Sequence, residues 1–209
     1  MIFWKKSNII KDYSQRILDS FPAELHTDVE SVIDILPLSQ NDIKLFNEQI
    51  HHLDNLIFDN YHEVILNKET IKISYRYYFN EPTFEHESEL TDTQKAILNC
   101  IYLRHHNGFI RQKRLEMLIG IQDYFVIPFS FQLLGEYVIE ILQVLDKVIN
   151  EKTIYHYVKF INENPKYWQQ TESRMISYWN EYYRRPNCPK LKDYIGKNIV
   201  DKIKNATPI

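Results

Sequence analysis

The stretch LRHHNGFIRQKRLEML, residues 103 to 118, gathers Arg104, His105, His106, Arg111, Lys113 and Arg114 around an Asn107-Gly108 turn. Histidines can relay protons or bind a metal, and arginines can clamp a carboxylate or a phosphate. Adjacent residues on a helix point about 100° apart, so neither His105-His106 nor His51-His52 makes the i, i+4 face of a helical metal site. No third ligand stands at a telling spacing, and no metal is expected. As residues at a helix end, the two histidines are expected to hydrogen-bond the last carbonyls of their own helix.

The arginines ask for more. Projected as a helix, 110 to 119 places Ile110, Leu115, Met117, Leu118 and Ile119 on one broad face and Gln112, Lys113 and Glu116 opposite. Arg111 falls near the middle of the apolar face, and Arg104 falls in line with Ile97, Cys100 and Ile101. A guanidinium in such a place must find carboxylates or carbonyls. The helix expected over 131 to 149 offers them, because its single polar stripe holds Gln132, Glu136, Glu140, Gln143 and Lys147. Arg111 is therefore expected to be buried and paired with Glu136 or Glu140. Two readings follow for Arg104, Arg111, Glu136 and Glu140: a structural polar network that fixes how helices pack, or an enzyme's polar pocket, with His105 or His106 beside it.

A second concentration is NPKYWQQTESRMISYWNEYYRRP, residues 164 to 186. Trp168, Met175, Trp179 and Tyr182 form one helical stripe, and Tyr167, Thr171, Arg174 and Tyr178 its neighbour. This is more aromatic surface than one core face needs. It reads either as a core helix edged with tyrosine hydroxyls or as a binding surface made of Tyr167, Trp168, Arg174, Tyr178, Tyr182 and Tyr183, since Tyr, Trp and Arg dominate interface hot spots. On the second reading some of those aromatic rings stay accessible to solvent. Single strands of nucleic acid also stack on such rings, but Arg184-Arg185 is a thin electrostatic footprint and the whole chain carries a net charge of −3.

Composition narrows the classes further. The 209 residues suffice for one large domain, and 44% hydrophobic with 25% charged residues is ordinary for a globular chain. The glycines, Gly108, Gly120, Gly135 and Gly196, stand alone, so no glycine-rich phosphate loop is present and no cofactor is expected. Cys100 and Cys188 offer no disulfide framework. The apolar run near 137 to 145 is broken by Glu140 and Gln143, and the N-terminus lacks the long apolar core of a signal peptide. No membrane association is expected, and the cytoplasm is the expected compartment.

Helical spacing marks 8 to 20 and 39 to 58, the second with Ile43, Phe46, Ile50, Leu53 and Ile57 on one face and Ser39 as N-cap; 21 to 38 is ambiguous. Over 62 to 79 the period becomes two, with Ile71, Ile73, Tyr75, Tyr77 and Phe79 alternating with Lys72, Ser74, Arg76 and Tyr78. That predicts a β-hairpin, which needs a third strand from 28 to 37 or a helix to pack on. After a polar linker at 81 to 90, Thr91 and Gln94 form a capping box, and helices follow at 109 to 119, 128 to 149, 153 to 163, 166 to 184 and 190 to 204. The fold expected is mainly α: a helical bundle or HEAT-like stack in the C-terminal two-thirds (89 to 209), with a small α+β portion over 1 to 88 containing the hairpin, or one continuous domain.

NGFIRQKRLEML is similar to the second helix of a HEAT-type repeat, in which an Asp is followed after two residues by Val-Arg and then by small and apolar residues. Asn107 stands at the Asp position, Ile110-Arg111 at Val-Arg, and Leu115 and Leu118 at apolar positions; Arg114 departs from the small residue of the pattern and Asn107 from the acid. The likeness covers about residues 95 to 120. It implies a structural role for Arg111. LRHHNGFIRQKRLEML with PFSFQLLGEYVIEI also resembles helical regions of uncharacterised bacterial proteins. Together these lead to the expectation of a non-enzymatic protein–protein interaction domain of adaptor or immunity type, bacterial in style, whose partner is another protein. The alternative is the enzyme with the Arg104, Arg111, Glu136 and Glu140 pocket.

Overall fold

The computed structural model describes residues 2 to 44, 49 to 185 and 188 to 206. Helix α1 (Ile2–Leu18) leads into α2 (His26–Ile35). Two antiparallel hairpins follow, β1 (Asp42–Lys44) with β2 (Ile50–His52) and β3 (Tyr61–Leu66) with β4 (Glu69–Ser74). The rest is helical: α3 (Phe84–Ser88), α4 (Asp92–Tyr102), α5 (Gly108–Glu116), α6 (Ile127–Gln132), α7 (Ile139–Val148), α8 (Ile154–Glu163), α9 (Pro165–Tyr178) and α10 (Ile195–Ala206). The fold is mainly α with a small β portion near the N-terminus. One apolar cluster runs from Tyr13 and Ile17 through Ile71 and Ile73 to Phe131, Phe160 and Ile203, across residue 88.

The period switch at 62 to 79 forms the hairpin β3–β4. Its two-residue turn, Asn67 and Lys68, has φ of 52° and 73°, the left-handed pair that matches the twist of the strands. Residues 28 to 37 supply no third strand, being largely α2. Instead the Asn164 side chain imitates one: the Ile65 N–H donates to Asn164 Oδ1 at 2.7 Å, and Asn164 Nδ2 donates to the Ile65 carbonyl at 2.8 Å. A short hairpin gains a hydrogen-bonded edge in this way without a strand.

The helix expected over 39 to 58 is not there. Asp42 to Lys44 pair instead with Ile50 to His52, burying Ile43 while Ile50 stays 69% exposed. The apolar residues shared a helical spacing by coincidence of two short strands. Phe46 lies outside the described residues.

Around the opening stretch the capping box at Thr91 and Gln94 starts α4, and Asn107 caps α5 by accepting from the Phe109 N–H at 2.9 Å. Past α4 the chain runs beside the end of the second hairpin: the Tyr77 N–H donates to the Arg104 carbonyl and the His106 N–H to the Tyr77 carbonyl, both at 2.9 Å. The span expected as one helix, 128 to 149, is three pieces. A 3₁₀ turn at Leu133–Gly135 ends α6, and Glu136 is extended with ψ of 158° before α7 begins. That break decides the geometry of the site.

A cleft walled by arginines

Arg104 sits two residues beyond α4, where its guanidinium turns to the frayed end of β4. Nε donates to the Ser74 carbonyl at 3.2 Å and Nη2 to the Tyr75 carbonyl, while Nη1 has no partner. Arg76, one residue past those carbonyls, donates from Nη2 to Glu136 Oε1 at 2.9 Å, and its buried Nη1 is likewise unpartnered. Arg111 arrives from α5 and donates to the His105 and His106 carbonyls at 2.7 and 3.0 Å and to Glu136 Oε2 at 3.4 Å. Glu136 thus bridges two guanidiniums at the break between α6 and α7, at 6% exposure.

Between these groups and α9 lies a cleft of about 300 Å³. Arg76, Arg104, Arg174, Gln132 and Glu136 line it together with His62 and the rings of Phe58, Tyr75, Tyr78 and Tyr178. Arg174, half-buried, reaches it across Gly135, where a Cβ would stand 3.0 Å from Arg174 Cδ. An added Cβ at 135 would make the Arg174 side chain give way by a few tenths of an ångström. Among the described residues the Arg174 side chain makes no hydrogen bond or ion pair.

The electrostatics are one-sided. Arg76, Arg104 and Arg111 act on one carboxylate, Glu136, and Arg174 adds a fourth guanidinium on the cleft wall. Burial, together with repulsion from Arg76, pushes Arg104 down to about 9, still cationic at neutral pH. Burial disfavours the charge on Glu136, yet Arg111, Arg76 and Arg104 outweigh it and hold the carboxyl below the usual range. His62, its ring 4.1 Å from that of Tyr75, is pushed down to about 3 by burial and by Arg104 and Arg174, and so is neutral.

The structure brings Arg104, Arg111 and Glu136 together and leaves Glu140 out. Glu140 is exposed in the first turn of α7, because the extended residues at 136 to 138 remove the single helical turn that would have aligned the two glutamates. The histidines do not cap their own helix. His105 accepts from the Asn107 N–H at Nδ1, so its Nε2 carries the proton and donates to the Phe79 carbonyl at 3.1 Å; His106 Nε2 lies 3.2 Å from the Lys44 carbonyl. Both pin irregular segments to the end of α4. Among the described residues no group of three or more His, Cys, Asp or Glu could hold a metal ion.

Of the aromatic helix, Arg174 and Tyr178 line the cleft. Tyr167 is buried behind it at 8% exposure, with burial raising its hydroxyl and Arg104 and Arg174 lowering it. Trp168 packs on Phe131, and Tyr183 stacks on Tyr194 and donates its hydroxyl to the Tyr137 carbonyl. A π-helical turn at Trp179–Tyr183 follows α9, and within it Tyr182 remains 49% exposed. Tyr137, Tyr178 and Tyr182 form a triangle of rings with centroids 5.3 to 6.0 Å apart, at the Tyr178 edge of the cleft.

Sequence reasoning left out His62, Arg76, Phe58, Tyr75, Tyr78 and Gln132 as site residues. The period of two put Arg76 on a solvent face, which holds only while a strand continues, and β4 stops at Ser74. Gln132 stood in the polar stripe as a signal not used.

No known protein family matches this chain, and no curated protein or solved structure does either.

Proposed function

We propose that this chain is a binding protein whose ligand presents an anionic group to the arginine cleft. The observation that carries the reading is a pair of neighbouring guanidiniums, the buried Arg104 and the partly exposed Arg76, each with a buried, unpartnered Nη1 and with only the Glu136 carboxylate, already bridged to Arg111, as counter-charge in the cleft. Like charges held together in a water-poor site cost free energy that an anion would return, and charge-assisted hydrogen bonds are among the stronger ones. Glu136, tied between Arg76 and Arg111, serves better as an anchor for the guanidiniums than as a base, which favours binding over catalysis. A reducing, cytoplasmic setting suits the free thiols Cys100 and Cys188, and no described helix is long and apolar enough to cross a membrane.

The test is calorimetric titration with inorganic phosphate. Arg174→Gln removes a cation whose side chain makes no hydrogen bond or ion pair among the described residues, so it should fold as the parent does and bind phosphate at least ten-fold more weakly, about 1.4 kcal/mol. Lys113→Gln, on α5 and away from the cleft, should bind as the parent does. Equal affinity in all three proteins would defeat the reading.

A second reading is a protein–protein interaction domain of adaptor or immunity type, favoured by the Tyr137, Tyr178 and Tyr182 triangle. Two of its rings are nearly half exposed, at 47% and 49%. An exposed aromatic cluster beside a charged cleft has the make-up of an interface hot spot. Here Tyr182→Ala should abolish capture of the partner without lowering the melting temperature; unchanged capture would count against it.

A further inference from the structure

The cleft has one feature that a simple anion does not use. Gln132 closes α6 at 3% exposure, and neither its Oε1 nor its Nε2 has a partner. A buried polar group left without a partner destabilises the fold, and a methionine of similar length would avoid that cost. The amide offers a donor and an acceptor side by side, the pair that reads the N6 and N7 edge of adenine. Phe58 and Tyr75, stacked at 6.4 Å with 16° between their planes, give the same cleft flat apolar faces. Its volume of about 300 Å³ is at the lower end for small-molecule sites, room for one nucleotide.

Charge narrows the anion. Four guanidiniums against one carboxylate leave a surplus that a phosphate monoester, carrying about −1.5 to −2, neutralises better than a carboxylate does. The chain has no glycine-rich loop, so the phosphate would be held by side chains, where planar guanidiniums give two-pronged contacts.

We propose that the cleft holds a nucleoside monophosphate, with Arg76, Arg104 and Arg174 on the phosphate and the Gln132 amide on the edge of an adenine base. The inference rests on the anion reading above and deepens it. The unpartnered atoms lie just beneath the cleft surface, so on this proposal binding shifts the side chains that line it, Arg174 among them.

The experiment is calorimetry on the full chain with AMP, adenosine, phenyl phosphate and inorganic phosphate. AMP is expected to bind at least ten-fold tighter than each of the other three. Gln132→Met should bring AMP down to the level of phenyl phosphate, and it should melt at or above the parent because it removes an unsatisfied amide. Phenyl phosphate binding as well as AMP would overturn the nucleotide assignment and leave the anion reading standing. Adenosine binding as well as AMP would overturn the placing of the phosphate on the arginines. Binding by none of the four would overturn both readings. Should Gln132→Met fail to fold, the parent's preference for AMP over phenyl phosphate still decides.

Discussion

Arg114→Ala is expected to lower the free energy of unfolding by about 3–5 kcal/mol, the cost of removing one partner from a buried ion pair. Arg114 on α5 is 1% exposed. Its Nε donates to Glu81 Oε1 at 2.8 Å, Nη1 and Nη2 grip Glu87 at 2.9 and 2.6 Å, and Nη1 also meets Asn99 Oδ1 at 3.3 Å. The guanidinium lies 4.9 Å from the Tyr102 ring centre, so truncation also leaves a hole beside a buried aromatic ring. Glu81 and Glu87 keep 25% and 23% of their side-chain surface in water, which places the loss toward the lower end of that range. Lys113→Ala is the control, since its Nζ reaches Glu81 only at 3.4 Å from a side chain 55% exposed, and a change within about 0.5 kcal/mol is expected. Urea unfolding at neutral pH measures both, and equal midpoints would show that Arg114 does not anchor the 81 to 90 segment.

Glu136→Gln should have an effect of similar size by a different route. The carboxamide keeps the shape and loses the charge that pairs Arg76 and Arg111 and offsets Arg104, so three cations face one another in a largely buried site. A loss of about 3–5 kcal/mol is expected at pH 7. The pH dependence has a definite sign. The folded carboxyl titrates below its unfolded value near 4.3, so its contribution is complete above that value and disappears as pH falls through the lower folded one. The gap between parent and Glu136→Gln should therefore be full at pH 6 and 7 and shrink on descending toward pH 3. A gap that is small at pH 7, or that does not change with acid, would mean that Glu136 does not carry the cluster's counter-charge.

The parts of this fold governed by local rules were legible in the sequence, and the parts governed by interruptions were not. A period of two with a two-residue turn announces β3–β4, and Thr91 with Gln94 announces α4, because strand alternation and capping are settled within a few residues. The β1–β2 hairpin hid behind apolar residues whose spacing fits a helix, since strands of three residues are too short for alternation to show. At the site, Arg111 could be assigned in advance a partner in Glu136 or Glu140, of which the structure supplies Glu136, because a guanidinium within an apolar face needs a carboxylate and few were on offer. Arg76 and Gln132 could not be assigned, because each depends on where an element stops: β4 at Ser74, α6 at Gln132. Arg114 was visible as a large cation where a repeat helix takes a small residue, and its reason appears only when 81 to 90 folds back as α3 to meet it. Glu140 failed for the same cause in reverse, as a helix assumed continuous is broken just before it.

On the proposed function, an anion settles among the arginines of the cleft. The most direct measurement follows the arginine side-chain Nε–H resonances of the ¹⁵N-labelled chain as inorganic phosphate is added. Saturable shifts with one common affinity are predicted for Arg76, Arg104 and Arg174, with Arg114 unmoved in its carboxylate clamp. Shifts spread over surface arginines such as Arg184 and Arg185, without saturation and with Arg104 and Arg174 still, would contradict it.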